Sequence, residues 1–191
     1  MEYKSESALK QYWLAYGGWP ALFSSKYLWF SICITLLCFD YWINNSSKYI
    51  TLSLSILPSL LGFALGGYAV WLAIGDQKLK KLLSDLSEDQ SKDEPSDFMS
   101  VNATFVHFIV LQIIALIYIL FLQANSVHQI ILFIRKYYVF SDCLNHFLSS
   151  MSILASGIGF FLFIYSISTM LAATFAVFKI ARWSDILNRM Q

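Results

Sequence analysis

Apolar residues dominate this chain in four long runs that are separated by polar segments. A bilayer core about 30 Å thick is crossed by about 20 apolar residues in an α-helix. The runs predict transmembrane helices at 27–43, 50–75, 101–122 and 150–178. The sequence therefore predicts an all-α, polytopic membrane protein with four spans.

The second run carries small residues at a regular spacing. Steps of four and three residues keep them on one stripe of an α-helix. The stripe contains Ser55, Ser59, Gly62, Gly66, Ala69 and Ala73. Small residues on a membrane helix let a second backbone approach closely. We therefore predict that the stripe from Ser59 to Ala73 packs between copies of the chain.

The fourth run begins with a similar row of small residues, Ser152, Ser156, Gly157 and Gly159. This row would also allow a close approach of another helix. We therefore predict that Ser156 and Gly159 belong to the same homo-oligomer interface.

The segment 76–100 is the only long charged stretch of the chain. Its first half is helical by pattern, with four leucines on one face, namely Leu79, Leu82, Leu83 and Leu86. Its second half is acidic, contains Pro95 and reads as a linker. The leucine face would suit either a lipid surface or another helix, and the acidic half favours protein contact. We therefore predict that the four leucines bind a soluble effector protein.

The remaining segments have the composition of membrane interfaces. Residues 1–26 are rich in tyrosine and tryptophan, which favour the headgroup layer, and Gly17, Gly18 and Pro20 interrupt any single helix there. Residues 123–148 contain an apolar run too short to span, followed by basic and aromatic pairs. Residues 179–191 form a basic amphipathic tail. We predict interfacial segments at 1–26 and 123–148 and a cytoplasmic tail at 179–191.

The basic residues are distributed unequally between the two sides of the predicted membrane. Three of the thirteen lie on one side, namely Lys48, Arg135 and Lys136. Ten lie on the other side, namely Lys4, Lys10, Lys26, Lys78, Lys80, Lys81, Lys92, Lys179, Arg182 and Arg189. The positive-inside rule therefore predicts that both termini and the 76–100 loop are cytoplasmic.

Composition and motifs exclude most chemical functions. Charged residues make up 13% of the chain, about half the roughly 25% of soluble proteins. The net charge of +1 does not imply a general attraction to nucleic acid, so we predict no direct binding to it, and the three cysteines lack a CxxC spacing. The chain has no HExxH, GxSxG, P-loop, GxGxxG or EF-hand pattern, and its first residues lack the pattern of a signal peptide. We predict no catalytic residues, no cofactor and no metal site.

A few polar residues and one proline lie inside the predicted spans. Asp40 is close to the end of its span, which favours an acid that reaches the interface over a functional acid at depth. His107 would suit a proton relay, a haem ligand or an interhelical hydrogen bond, and we favour the last. Pro58 predicts a kink in the second span.

Two functions of different class fit this pattern. The first is a small oligomeric scaffold or sensor that recruits a soluble cytoplasmic effector, where several copies would strengthen a weak contact. The second is a pore formed by the same oligomer, which would require polar rings along its lumen. The stripe of the second span is better suited to dry packing, whereas the serines of the fourth span keep the pore hypothesis open.

The stretch LPSLLGFALGGYAVWLAIGDQKLKKLL, at residues 57–83, resembles small four-span proteins encoded beside bacterial antiphage effectors. The membrane subunits of Kiwa defence systems are the group it resembles, and Cas13-associated four-span accessory proteins are similar to a comparable degree. The resemblance carries over no functional residue. It implies a homo-oligomer of the bacterial inner membrane, in contact with membrane lipid. Such a subunit would sense infection and hold a DNA-binding effector at the cytoplasmic face.

Overall fold

The computed structural model describes residues 7–74, 96–124 and 142–189 of the chain. Every regular element in these ranges is an α-helix, and none is a β-strand. The helices are α1 (Ala8–Tyr16), α2 (Gly18–Ser24), α3 (Lys26–Leu37), α4 (Phe39–Asn44), α5 (Ser46–Ile74), α6 (Asp97–Ala124) and α7 (Asp142–Arg189). The prediction of an all-α fold is confirmed for this part of the chain.

Three of these helices are long and apolar enough to cross a membrane. Their candidate spans are Ser46–Ala69, Phe98–Ala124 and His146–Phe178. Helices α2 and α3 pass the same test only as a pair, and they are bent by 53° at Ser25. The chain therefore has the helices of a multi-pass membrane protein, with three candidate spans, or four if the bent pair counts as one.

The first predicted span, 27–43, is helical but not continuous. Helix α3 ends at Leu37, and α4 begins at Phe39 after a turn at Cys38. The indole N–H of Trp42 donates a hydrogen bond of 2.8 Å to the carbonyl of Thr35. A break in a membrane helix frees backbone carbonyls, and this side chain satisfies one of them.

The N-terminal segment forms two helices that are separated at Gly17, as the two glycines in the sequence indicated. Gly17 has a φ of 97°, ends α1 in the left-handed conformation and immediately precedes α2. A Cβ atom at Gly17 would lie 2.9 Å from the Cβ of Ala21, so a larger residue would be strained and crowded there. Pro20 is tolerated in the first turn of α2, where its missing N–H would lack a helical partner in any case.

The three long helices are longer than the predicted spans 50–75, 101–122 and 150–178. Helices α6 and α7 exceed their spans at both ends, and α5 begins before its span. Helix α5 continues through Pro58 without an end. Helix α7 has 48 residues and is therefore about 72 Å long, more than twice the thickness of a bilayer core. The predicted tail is a continuation of α7 as far as Arg189, which forms an ion pair with Asp185 at 3.0 Å.

The leucines Leu79, Leu82, Leu83 and Leu86 lie outside the described residues, as do residues 125–141.

Helices α5, α6 and α7 form the central bundle. Near one end of it, Tyr49 of α5 packs with Ile119 of α6 and Phe160 of α7. Near the other end, the indole N–H of Trp71 on α5 donates to the side-chain oxygen of Asn102 on α6 at 3.0 Å. The start of α5 thus lies beside the end of α6, so these two helices are antiparallel.

The shorter helices pack around this bundle. Helix α3 packs on α7, and a buried cluster of Leu28, Leu111 and Tyr165 joins it to both α6 and α7. Helix α4 packs on α7 and α5, and α1 packs on α6. The long helix α7 therefore contacts α3, α4, α5 and α6.

Candidate functional site

The small-residue stripe of α5 lies on the outer surface of the bundle. Five residues of the stripe are exposed, namely Ser55, Ser59, Gly62, Gly66 and Ala69. A Cβ atom placed at Gly62 or Gly66 would meet nothing within 4 Å. The side chain of Ala73 lies outside the described part of the structure. The predicted packing face is therefore open in the single chain.

The opposite face of α5 makes the internal contacts. Leu57 and Ala64 are buried at 0% and 5% exposure, and they belong to the two apolar clusters of the bundle. At about 100° per residue, the glycines at 62 and 66 lie on the far side of the helix from these two residues. The stripe is thus an unused face of a helix whose other face is fully packed.

Ser156 and Gly159, which were predicted for the same interface, make contacts inside the chain. The hydroxyl of Ser156 donates to the carbonyl of Trp42 at 2.9 Å, and Tyr49 donates to the carbonyl of Ser156 at 3.0 Å. A Cβ atom at Gly159 would lie 2.7 Å from Cδ1 of Leu122 and 3.1 Å from the hydroxyl of Tyr49. These two residues let α7 approach α4, α5 and α6. The contact between copies of the chain stays a prediction. Of the two predicted rows of small residues, the stripe on α5 is the one that is exposed for such a contact.

His107 lies at the centre of an aromatic cluster formed by α1, α6 and α7. The hydroxyl of Tyr12 is 2.7 Å from Nδ1 of the imidazole. The ring of Tyr16 stacks on the imidazole at a centroid distance of 3.9 Å and an interplanar angle of 10°. The hydroxyl of Tyr165 is 3.5 Å from Nε2 on the other side of the ring. The predicted interhelical hydrogen bond at His107 is confirmed.

Tyr12 keeps its hydroxyl proton at neutral pH. Burial, with a contribution from the neighbouring Tyr16, raises the pKa of Tyr12 to about 12. The tautomer of His107 decides whether this hydroxyl donates to Nδ1 or accepts from it. An imidazole that accepts at Nδ1 carries its proton on Nε2, which faces Tyr165. The cluster is thus a chain of donors and acceptors that ties α1 to α6 and α7.

This cluster does not have the composition of a haem or metal site. A haem held by two histidines needs a second imidazole at matching depth, and His146, the other described histidine, is exposed near the start of α7. Within the described ranges no three or more His, Cys, Asp or Glu side chains group as metal ligands. The arrangement holds α1, α6 and α7 together through hydrogen bonds and ring stacking.

The sequence alone identified His107 but not its three tyrosine partners. Tyr12 and Tyr16 are four residues apart, so they lie on one face of a helix and can contact the same side chain. That spacing was a usable signal for a paired contact. Nothing in the sequence indicated that α6 and α7 supply the other half of the cluster, because those contacts are between residues far apart in the chain.

A polar seam joins α3 to α7. The hydroxyl of Ser31 is 3.0 Å from the hydroxyl of Ser168, and it also reaches the carbonyl of Tyr27 at 2.7 Å. Thr35 donates to the carbonyl of Ser31 at 2.8 Å, and Ser168 donates to the carbonyl of Ile164 at 2.9 Å. Small polar residues of this kind hold membrane helices together at close range.

Asp40 lies in the first turn of α4 and is exposed. Its carboxylate accepts a hydrogen bond of 2.7 Å from the side-chain amide of Asn44. The partner is thus a neighbouring amide within the same short helix. The position of Asp40 at a membrane interface stays a prediction.

The two features that stand out in the described structure are therefore an open glycine face on α5 and a histidine–tyrosine cluster beneath α1. The first suits a close contact with another helix, and the second fixes a helix within the chain. No protein-family model, no curated protein and no solved structure matches this chain significantly.

Proposed function

We propose that this protein is a membrane scaffold that self-associates through α5 and presents its 76–100 segment to a soluble protein. The observation that carries the proposal is the open face at Gly62 and Gly66, where nothing in the described part of the chain lies within 4 Å of an added Cβ. A face this smooth allows two helix backbones to approach closely, which favours association of membrane helices. The homo-oligomer would then present one copy of the leucine face per subunit.

The proposal includes a topology of four spans, with the bent pair α2–α3 and α4 together forming the first crossing. The ten-to-three distribution of basic residues supports a cytoplasmic location for both termini and for the 76–100 segment. This places the leucines Leu79, Leu82, Leu83 and Leu86 where a soluble effector can reach them.

The resemblance to membrane subunits of antiphage systems extends the proposal to a biological setting. In that setting the protein is a sensor in a bacterial inner membrane, and its partner is a DNA-binding effector. The net charge of +1 supports binding to the effector rather than to the nucleic acid itself.

The pore hypothesis receives less support from the same residues. Three serines of the fourth span, Ser156, Ser166 and Ser168, donate their hydroxyl hydrogens to carbonyls of Trp42, Leu162 and Ile164. Ser166 and Ser168 are buried at 0% and 7% exposure. A lumen formed between copies would need polar groups on the outer surface of each chain. These hydroxyls instead face the inside of the bundle.

The test is the mass of the purified protein after substitution on the glycine face. Gly62→Leu and Gly66→Leu should reduce the assembly to the 21.9 kDa chain, measured by light scattering with the detergent contribution subtracted. Gly67→Leu is the matched control, because Gly67 is equally open but lies on another side of α5. An unchanged mass in both test variants would contradict self-association through this face.

A further inference from the structure

Gln112 is the polar side chain that the fold leaves without a described partner. It lies on α6 with 0% exposure, and neither its amide nitrogen nor its amide oxygen has a hydrogen-bond partner among the described residues. A buried amide that loses its bonds to water costs about 1–3 kcal/mol, and more at the depth of a membrane. A group of this kind therefore requires a partner.

The position of Gln112 is between the two apolar clusters of the bundle. On α6, Phe108 belongs to one cluster and Ala115 to the other, and Gln112 lies between them on the same helical stripe. The cluster of Ala115 also contains Leu57 and Phe163, and the cluster of Phe108 also contains Ala64 and Ala173. Gln112 is thus in a single layer that separates two apolar halves of one core.

On α7, Ser166 lies between Phe163 of the Ala115 cluster and Ala173 of the Phe108 cluster, and it has 0% exposure. This order along the helix corresponds to the level of Gln112 on α6. The hydroxyl of Ser166 donates to the carbonyl of Leu162 at 2.8 Å, which leaves the lone pairs of its oxygen free to accept. Ser166 and Ala115, which is one turn from Gln112, are both small residues.

We propose that Gln112 and Ser166 together bind an internal water molecule at the centre of the α5–α6–α7 core. The water accepts a hydrogen bond from the amide nitrogen of Gln112 and donates its two hydrogens to the amide oxygen of Gln112 and to the hydroxyl oxygen of Ser166. A buried water is stable when it has two to four polar partners of this kind. A cation fits less well, because one amide oxygen and one hydroxyl are far fewer than the about six oxygens that such an ion requires.

This site is independent of self-association, because both residues are buried inside one chain. The water would place a hydrogen-bonded polar group between the two apolar clusters. Because little other water competes for hydrogen bonds in a membrane interior, these bonds would fix the rotation of α6 relative to α7.

The direct test is nuclear magnetic resonance on the full chain in detergent, with ¹⁵N-labelled glutamine side chains. The Gln112 amide should show a cross-peak to a long-lived water, and Ser166→Ala should abolish that cross-peak. Gln123→Leu is the matched control, because Gln123 lies on the same helix and is exposed. Absence of a water cross-peak at Gln112 in the wild-type protein would overturn the proposal.

The second test is the stability of Gln112→Leu, Ser166→Ala and the double variant. Each single substitution removes one partner of the water, so each should raise the equilibrium constant of unfolding about threefold to tenfold. The double variant should raise the equilibrium constant of unfolding by less than the product of the two single changes, because the water is lost only once. A more stable Gln112→Leu protein would identify an unpaired amide and contradict the water site. Coupling between the two residues without a water cross-peak would identify a direct hydrogen bond and would contradict it as well.

Discussion

The ring of Tyr16 lies almost flat on the imidazole of His107, with centroids 3.9 Å apart and planes 10° apart. Tyr12, one turn earlier on α1, hydrogen-bonds to the same imidazole at 2.7 Å. Two contacts from successive turns of one helix fix both its position and its rotation. His107 therefore anchors α1 to the side of α6, nine residues into the candidate span that begins at Phe98.

Removal of the Tyr12 hydroxyl should loosen α1. Tyr12→Phe loses a hydrogen bond that contributes about 1 kcal/mol. This corresponds to about a fivefold change in the equilibrium between α1 packed on α6 and α1 detached from it. Hydrogen–deuterium exchange of the α1 backbone amides should accelerate by that factor. Tyr41→Phe, a tyrosine of α4 outside the cluster, is the control. Unchanged exchange in Tyr12→Phe would show that the hydrogen bond does not hold the helix.

Bulk at Gly159 should destabilise the folded chain, whereas bulk at Gly67 should not. A Cβ atom at Gly159 already approaches Leu122 and Tyr49 within 3.1 Å or less, and Gly67 has nothing within 4 Å. Gly159→Leu should therefore lower the free energy of unfolding by about 1–3 kcal/mol through overpacking. Chemical or thermal unfolding in detergent measures the difference. Equal stability of the two variants would mean that α7 does not pack closely against α5 and α6 at this point.

The proposed topology predicts on which side a new cysteine reacts. In a chain with its three cysteines replaced, Ser91→Cys should be labelled by an impermeant maleimide only from the cytoplasmic side. Ser47→Cys, on the exposed first turn of α5, should be labelled only from the outside. Labelling of Ser91→Cys in intact cells would reverse the orientation.

The leucine face of the 76–100 segment should be required for partner binding. Leu79→Glu combined with Leu83→Glu places two charges on the predicted apolar face, and it should abolish co-purification of a soluble protein in native detergent. Gln77→Glu combined with Ser84→Glu adds the same charge on the opposite face and serves as the control. A partner that remains bound to the leucine variant would exclude this face as the docking site.

The sequence predicted the helices well because their signals are local. Long apolar runs, the turn glycine at Gly17 and the polar residues around Asn45 each mark a boundary without reference to the rest of the chain. The break at Cys38 was not predicted, because no glycine or proline marks it. The indole of Trp42, four residues beyond the break, donates to the Thr35 carbonyl on its other side.

The sequence by itself determined that this protein is helical, strongly apolar and provided with two rows of small residues. Only the tertiary structure decided that the row on α5 faces outwards while Ser156 and Gly159 on α7 face inwards. The two rows look alike along the chain, since small side chains permit close packing without specifying a partner. Bulky residues distant in sequence, Trp42 and Tyr49, fill the space beside α7, and no equivalent side chain among the described residues covers Gly62 or Gly66.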